Sequence, residues 1–151
     1  MMKDNTIKIW FDGGCKPNPG RKYGSFKATL RSNSIQESTF PLGWGTNNEA
    51  EFESLAFALK NILERFDSKK LDPKNFALAI FTDSTIVRNW QLKTETILRD
   101  GRTRPSSYYS KDARKKAMYE LSVINHHLLQ RFGFWSIEWN SRDVNVEKFG
   151  H

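Results

Sequence analysis

Six apolar residues in a row, 76–81 (FALAIF), followed by Thr82-Asp83-Ser84, constrain this chain more than any other stretch. A short apolar run bounded by turn residues predicts a central strand covered on both faces. A sheet layered with helices provides that setting. Nearer the start, Ile7, Ile9 and Phe11 alternate with Lys8, Trp10 and Asp12, the two-residue period of a half-buried strand. Gly13-Gly14 then predicts a break after Asp12, with a bulge or a close approach of other backbone. Both strands therefore end on an aspartate, Asp12 and Asp83, beside backbone open to a ligand. Two such carboxylates are candidates for holding a cation.

The rest of the chain supplies the layers. A Pro-, Asn- and Gly-rich loop over 15–22 separates the first strand from a second at 23–31, and Ser32-Asn33 turns into a third at 35–40. Thr46-Asn47-Asn48 offers a helix cap. Phe52, Leu55, Ala56, Leu59, Ile62, Leu63 and Phe66 then recur at helical spacing, and 67–70 ends the helix. Glu51 stands on the leading edge of that apolar stripe, where a carboxylate loses hydration unless a positive charge meets it. A helix follows Asp83, residues 100–112 break the chain, and a long helix from about Lys111 places Ala117, Leu121, Ile124, Leu128 and Phe132 along one side. Trp135, Ile137 and Trp139 alternate as a fifth strand, and 141–151 has room for one short helix. The order predicts a single α/β domain over 1–151, a mixed five-stranded sheet flanked by helices.

Composition narrows the partners. With 13% aromatic and 38% hydrophobic residues the chain is too rich in core formers to stay disordered. No window is long and apolar enough for a membrane span, and the opening residues show no apolar leader. The single cysteine, Cys15, rules out an internal disulfide and fits a reducing cytoplasm. A net charge of +7 favours a polyanionic partner.

Three motifs in this order resemble type 1 ribonuclease H. Asp12-Gly13-Gly14-Cys15 with Asn18-Pro19-Gly20 and Tyr23-Gly24 is similar to the family's opening, Thr46-Asn47-Asn48-Glu49-Ala50-Glu51 to its second motif, and Thr82-Asp83-Ser84 with Val87-Arg88 to its third. The resemblance implies sheet order 3-2-1-4-5 with strand 2 antiparallel. It also implies hydrolysis of the RNA strand of RNA/DNA hybrids by two metal ions, leaving 3′-hydroxyl and 5′-phosphate ends. Asp12, Glu51 and Asp83 match the family's metal-binding carboxylates, with Mg²⁺ as the expected ion and Mn²⁺ as a substitute. Gly13, Cys15, Asn18, Thr46, Asn47 and Asn48 match its substrate-contacting positions, the asparagines on the RNA strand. A monomer with no obligatory protein partner is expected.

The chain departs from the family at its end. Four residues after Asn145, where an aspartate is usual, stands Phe149, and the segment resembles a shorter variant with Arg, two residues, then Asn. Asn145 is the first choice for the fourth ligand, with Glu147 and Asp143 as alternatives. A glycine-flanked histidine loop is also missing. His126 and His127 are expected to be structural, and His151 is given no role. Arg99, Arg102, Arg104, Lys111, Arg114, Lys115 and Lys116 form a basic cluster, read as a grip on the hybrid in preference to a merely solvated helix face.

Overall fold

A computed structural model of the chain describes residues 4–102 and 104–149, so His151 lies outside the described residues. The elements are β1 (Thr6–Cys15), β2 (Gly20–Leu30), β3 (Asn33–Gly45), α1 (Asn47–Ser68), β4 (Ala77–Thr82), α2 (Thr85–Asp100), α3 (Ser106–Tyr109), α4 (Ala113–Leu129), β5 (Phe134–Trp139) and α5 (Arg142–Phe149). The sheet runs β3-β2-β1-β4-β5, with β2 antiparallel to its neighbours and β1, β4 and β5 parallel. Among the described residues no helix is long and apolar enough to cross a membrane.

One face of the sheet carries the core. Ile7, Ile9 and Phe11 of β1, Phe26 and Ala28 of β2, and Leu78 and Ile80 of β4 are buried against Phe52, Leu55, Leu59 and Ile62 of α1. α1 packs on β1 and β2, α2 on β4 and β5, and α4 lies against α1 and α2. The opposite face corrects one expectation. β4 is central but alternates buried with half-buried residues, because no helix covers Ala77, Ala79 and Phe81. α5 alone sits on that side, over β1 and β2.

Two further readings need correcting. β1 does not stop at Asp12, since Gly13 and Gly14 stay in the ladder opposite Gly24 and Tyr23 and the strand ends at Cys15. The antiparallel partner carries it on. The buried side of α4 is Ser122, Asn125, His126 and Leu129, while Ala117 and Ile124 are exposed. This helix docks by hydrogen bonds. The Ser122 and Thr94 hydroxyls lie 2.6 Å apart, and Asn125 Nδ2 donates to Phe52 O and Gln91 Oε1 at 3.1 Å each.

The predicted close approach at the glycines is present. A Cβ on Gly13 would collide with the Ala50 carbonyl, and one on Gly24 with Ser54 Oγ and Phe40. α1 therefore lies flush on the ends of β1 and β2. Thr46 fixes where that helix starts: its Oγ1 accepts from Glu49 N at 3.2 Å, and Glu49 Oε1 accepts from Thr46 N at 3.1 Å, a reciprocal cap. Because the colliding atom at Gly13 is backbone, Gly13→Ala is expected to cost about 1–3 kcal/mol, read as a lower urea midpoint with an unchanged slope.

Candidate active site

The chain leaves the carboxyl end of β1 toward β2 on one side, and that of β4 toward β5 on the other. This divergence opens a crevice where α/β sheets commonly bind ligands. Asp12 is the last charged side chain of β1 and shares a face with Trp10. Asp83 follows β4 directly. The cap of α2 is Ser84, whose Oγ accepts from Val87 N at 3.1 Å, so the Asp83 carboxylate is not spent as a helix cap. Glu51 enters from α1 on the core side, and Asn145 from α5 on the other.

The three carboxylates feel one another. Burial raises the pKa of Glu51 from 4.5 to about 7; a hydrogen bond from Ser84 lowers it, Asp83 and Asp12 raise it, and Arg142 lowers it. Asp83 is also raised, first by burial, against the Arg142 charge, its own backbone N–H and the Asn145 amide. Burial and the Asp12 charge push the Tyr23 hydroxyl up as well. Glu51 Oε2 is buried with no hydrogen-bond partner. Hard oxygen donors with unmet negative charge suit a small divalent cation. The residues thus fit such an ion in donor type and charge. They do not form a closed cage: among the described residues no three His, Cys, Asp or Glu side chains are grouped so as to hold a metal.

Of the three candidates for a fourth ligand, α5 turns only Asn145 inward; it is fully buried while Asp143 and Glu147 are exposed. Its Oδ1 accepts from Asn140 Nδ2 at 3.0 Å, its amide faces Asp83, and Asn140 Oδ1 is buried without a partner. Arg142 and Ser84 were not assigned to the site from sequence. Arg142 stands in the same short segment as Asn145, a signal within reach; the Ser84 contact with Glu51 has none, because a capping serine is ordinary at a helix start.

The residues matched to substrate contacts gather beside the carboxylates. Cys15 N donates to Asn47 Oδ1 at 2.7 Å and Asn47 N donates to Asn18 Oδ1 at 3.2 Å, tying the end of β1 to the start of α1. The Cys15 thiol is buried beneath them, with Sγ 3.4 Å from Gly45 O. Gly13 lies under α1. Asn18, Thr46, Asn47 and Asn48 line one wall of a groove of about 560 Å³ whose other wall includes Arg114 and Met118 of α4. One member of the basic cluster thus shares a groove with the asparagines. Arg99, Arg102 and Lys116 stand 3.8, 3.9 and 4.0 Å from Glu95, Asp100 and Glu120 at the surface. His126 is buried with Nδ1 3.3 Å from Glu95.

Strand order and the acidic crevice together define a ribonuclease H-like protein. No protein-family model matches the chain. It is 33% identical over 84 residues to the ribonuclease H of Acidiphilium cryptum, a match covering 55% of this chain and 45% of that one. The chain spans about half the length of the curated relatives it matches. Among solved structures, LC11-RNase H1 isolated from compost superposes with a TM-score of 0.67 at 25% identity, covering 95% of this chain and 89% of that one. The N-terminal RNase H domain of a Mycobacterium tuberculosis protein gives 0.66 at 25%, covering 95% and 88%. RNase H1 of Halobacterium salinarum shares the fold, with a TM-score of 0.68 at 22% identity over 93% and 89%.

A carboxyl pKa raised on folding means the native state holds its proton where the unfolded state has lost it, so stability falls as pH rises between the two values. For Glu51 that window is 4.5 to about 7, and the loss is on the order of 3 kcal/mol. In chelator, Glu51→Gln is expected to be more stable than the parent at pH 8 and equal to it near pH 4. Mg²⁺ should raise the melting temperature of the parent and leave that of the variant nearly unmoved.

Proposed function

We propose that this chain is a divalent-metal-dependent endoribonuclease that cuts the RNA strand of RNA/DNA hybrids, leaving 3′-hydroxyl and 5′-phosphate ends. The observation that supports this reading is that Glu51, with one oxygen buried and unpaired, lies within range of the Asp83 and Asp12 charges. LC11-RNase H1 has also been solved with an RNA/DNA hybrid bound, and this chain shares its fold at a TM-score of 0.63 and 23% identity.

Asp12, Glu51, Asp83 and the Asn145 amide oxygen would hold Mg²⁺, or Mn²⁺ in its place. When bound, the ions supply an activated water and offset charge on the phosphoryl and leaving oxygens. The chain's own residues do the positioning. Ser84 holds Glu51 toward the crevice, and the Arg142 guanidinium moderates the charge on Glu51 and Asp83. Asn18, Asn47 and Asn48 face the RNA strand, where amide groups reach 2′-hydroxyls and so separate RNA from DNA. Gly13 and Cys15 shape the strand end beneath them, Thr46 meets a phosphate of the DNA strand, and Arg114 with its basic neighbours holds the duplex backbone. No side-chain nucleophile is needed. The enzyme works as a monomer in the reducing cytoplasm.

Incubation with labelled hybrid, DNA duplex and RNA duplex, each with Mg²⁺, Mn²⁺ or chelator, tests the reading. Cleavage of the hybrid alone, lost in chelator and on Asp83→Asn, is expected. Cleavage that survives Asp83→Asn overturns it, and binding without cleavage replaces the enzyme with a non-catalytic binding module. For the fourth ligand, Asn145→Ala is expected to lower the rate at least tenfold and Asn145→Asp to keep or raise it. Asp143→Ala and Glu147→Ala should cut at nearly the parent rate.

A further inference from the structure

On the sheet face opposite α1, beside α5, lies a groove of about 390 Å³ that the proposed reaction does not use. Its floor is the set of β1 side chains pointing away from the core, Thr6, Lys8 and Trp10, with Lys27 and Thr29 beside them on β2 and Arg31 in the turn just past it. Lys148 of α5 lines the groove as well, with Ser32 and Ser34. Four cations thus line one groove against a single carboxylate in its lining, Asp4, with Glu37 of β3 across from Lys27. Among the described residues none of the four cations forms an ion pair. Arg31 donates to Asp4 O at 3.1 Å and Asn5 Oδ1 at 2.9 Å, which fix its guanidinium, and the Asp4 carboxylate feels the Lys8 and Arg31 charges without forming an ion pair with either.

The aromatic content gives the groove more than charge. Trp10 is half-buried and stacks on Phe81, with ring centroids 5.3 Å apart at 19°. The Lys148 ammonium rests 4.2 Å from the centre of the indole. A cationic track with an aromatic platform is the combination that holds single-stranded nucleic acid, phosphates on the cations and bases on the ring. At about 390 Å³ the groove has room for a nucleotide.

Position ties the groove to the crevice. Thr6, Lys8, Trp10 and Asp12 lie in line on one face of β1, so the track runs about 20 Å and ends at a catalytic carboxylate. We propose that this outer face binds a single-stranded segment of nucleic acid continuous with the duplex in the active site, with Trp10 as its stacking platform and Lys8, Lys27, Arg31 and Lys148 on its phosphates. The path from the crevice rests on the proposed hydrolysis of hybrids; the groove's preference for single strands does not. Lys148 leaves the indole for a phosphate as a base takes its place.

The test is fluorescence anisotropy with a labelled single-stranded DNA oligonucleotide and a single-stranded RNA of the same sequence, in chelator over a range of salt. The double variant Lys8→Ala/Lys27→Ala removes two half-exposed or exposed lysines outside the crevice. It should weaken binding about tenfold and lower the slope of log affinity against log salt by about 1.4, near 0.7 for each phosphate that is no longer neutralised. The parent should bind a hybrid carrying a single-stranded overhang more tightly than a blunt one, the variant should bind both alike, and blunt-hybrid cleavage should be unchanged. Parent-like affinity and slope in the variant overturn the proposal. So does displacement of the oligonucleotide by polyphosphate as readily as by unlabelled strand, the mark of a plain anion patch. If the parent binds single strands through these lysines and cleaves no hybrid, the groove stands and the nuclease reading falls.

Discussion

The seating of α1 on the ends of β1 and β2 is the contact from which the rest of the site follows. Gly13 and Gly24 let the helix backbone come within reach of the strands, and Ser54, fully buried between them, spends its hydroxyl on the Ala50 carbonyl at 2.6 Å. Asp12 precedes the first of those glycines and Glu51 follows Ala50. The close packing that stabilises the domain also brings Glu51 within range of the Asp12 charge. The fold accepts this at a cost in hydration and repulsion, visible in the raised pKa of Glu51. Stability and the proposed chemistry pull in opposite directions at one residue.

How much of this the amino-acid order revealed depends on whether a residue acts through its neighbours in the chain or across the fold. Asp12 and Asp83 stand out in the sequence because each follows an apolar strand run, and Glu51 because it lies beside a helical stripe with the wrong polarity for its place; that the three hold metal is the proposal. The Thr46 cap is purely local, and its reciprocal bonds appear as expected. The sheet order came from the resemblance and holds in full.

What escaped was set by tertiary contacts. The glycine pair suggested a stop to β1, yet an antiparallel neighbour keeps such residues in a ladder. The apolar side of the long helix pointed to burial of Ala117 and Ile124, whereas a hydrogen-bonded polar cluster of Gln91, Thr94, Ser122 and Asn125 occupies the interface. The all-apolar 76–81 run implied two covered faces. Alanines at 77 and 79 are small enough to remain half-buried beneath neighbouring side chains without any helix above them.

The cap of α1 has one more consequence. Thr46 anchors the helix origin and Glu51 lies five positions on, so the intervening residues act as a ruler that sets the angular heading of the carboxylate. Inserting or deleting one residue there turns Glu51 by about 100° around the helix axis, away from its acidic neighbours. The length of this interval is locked.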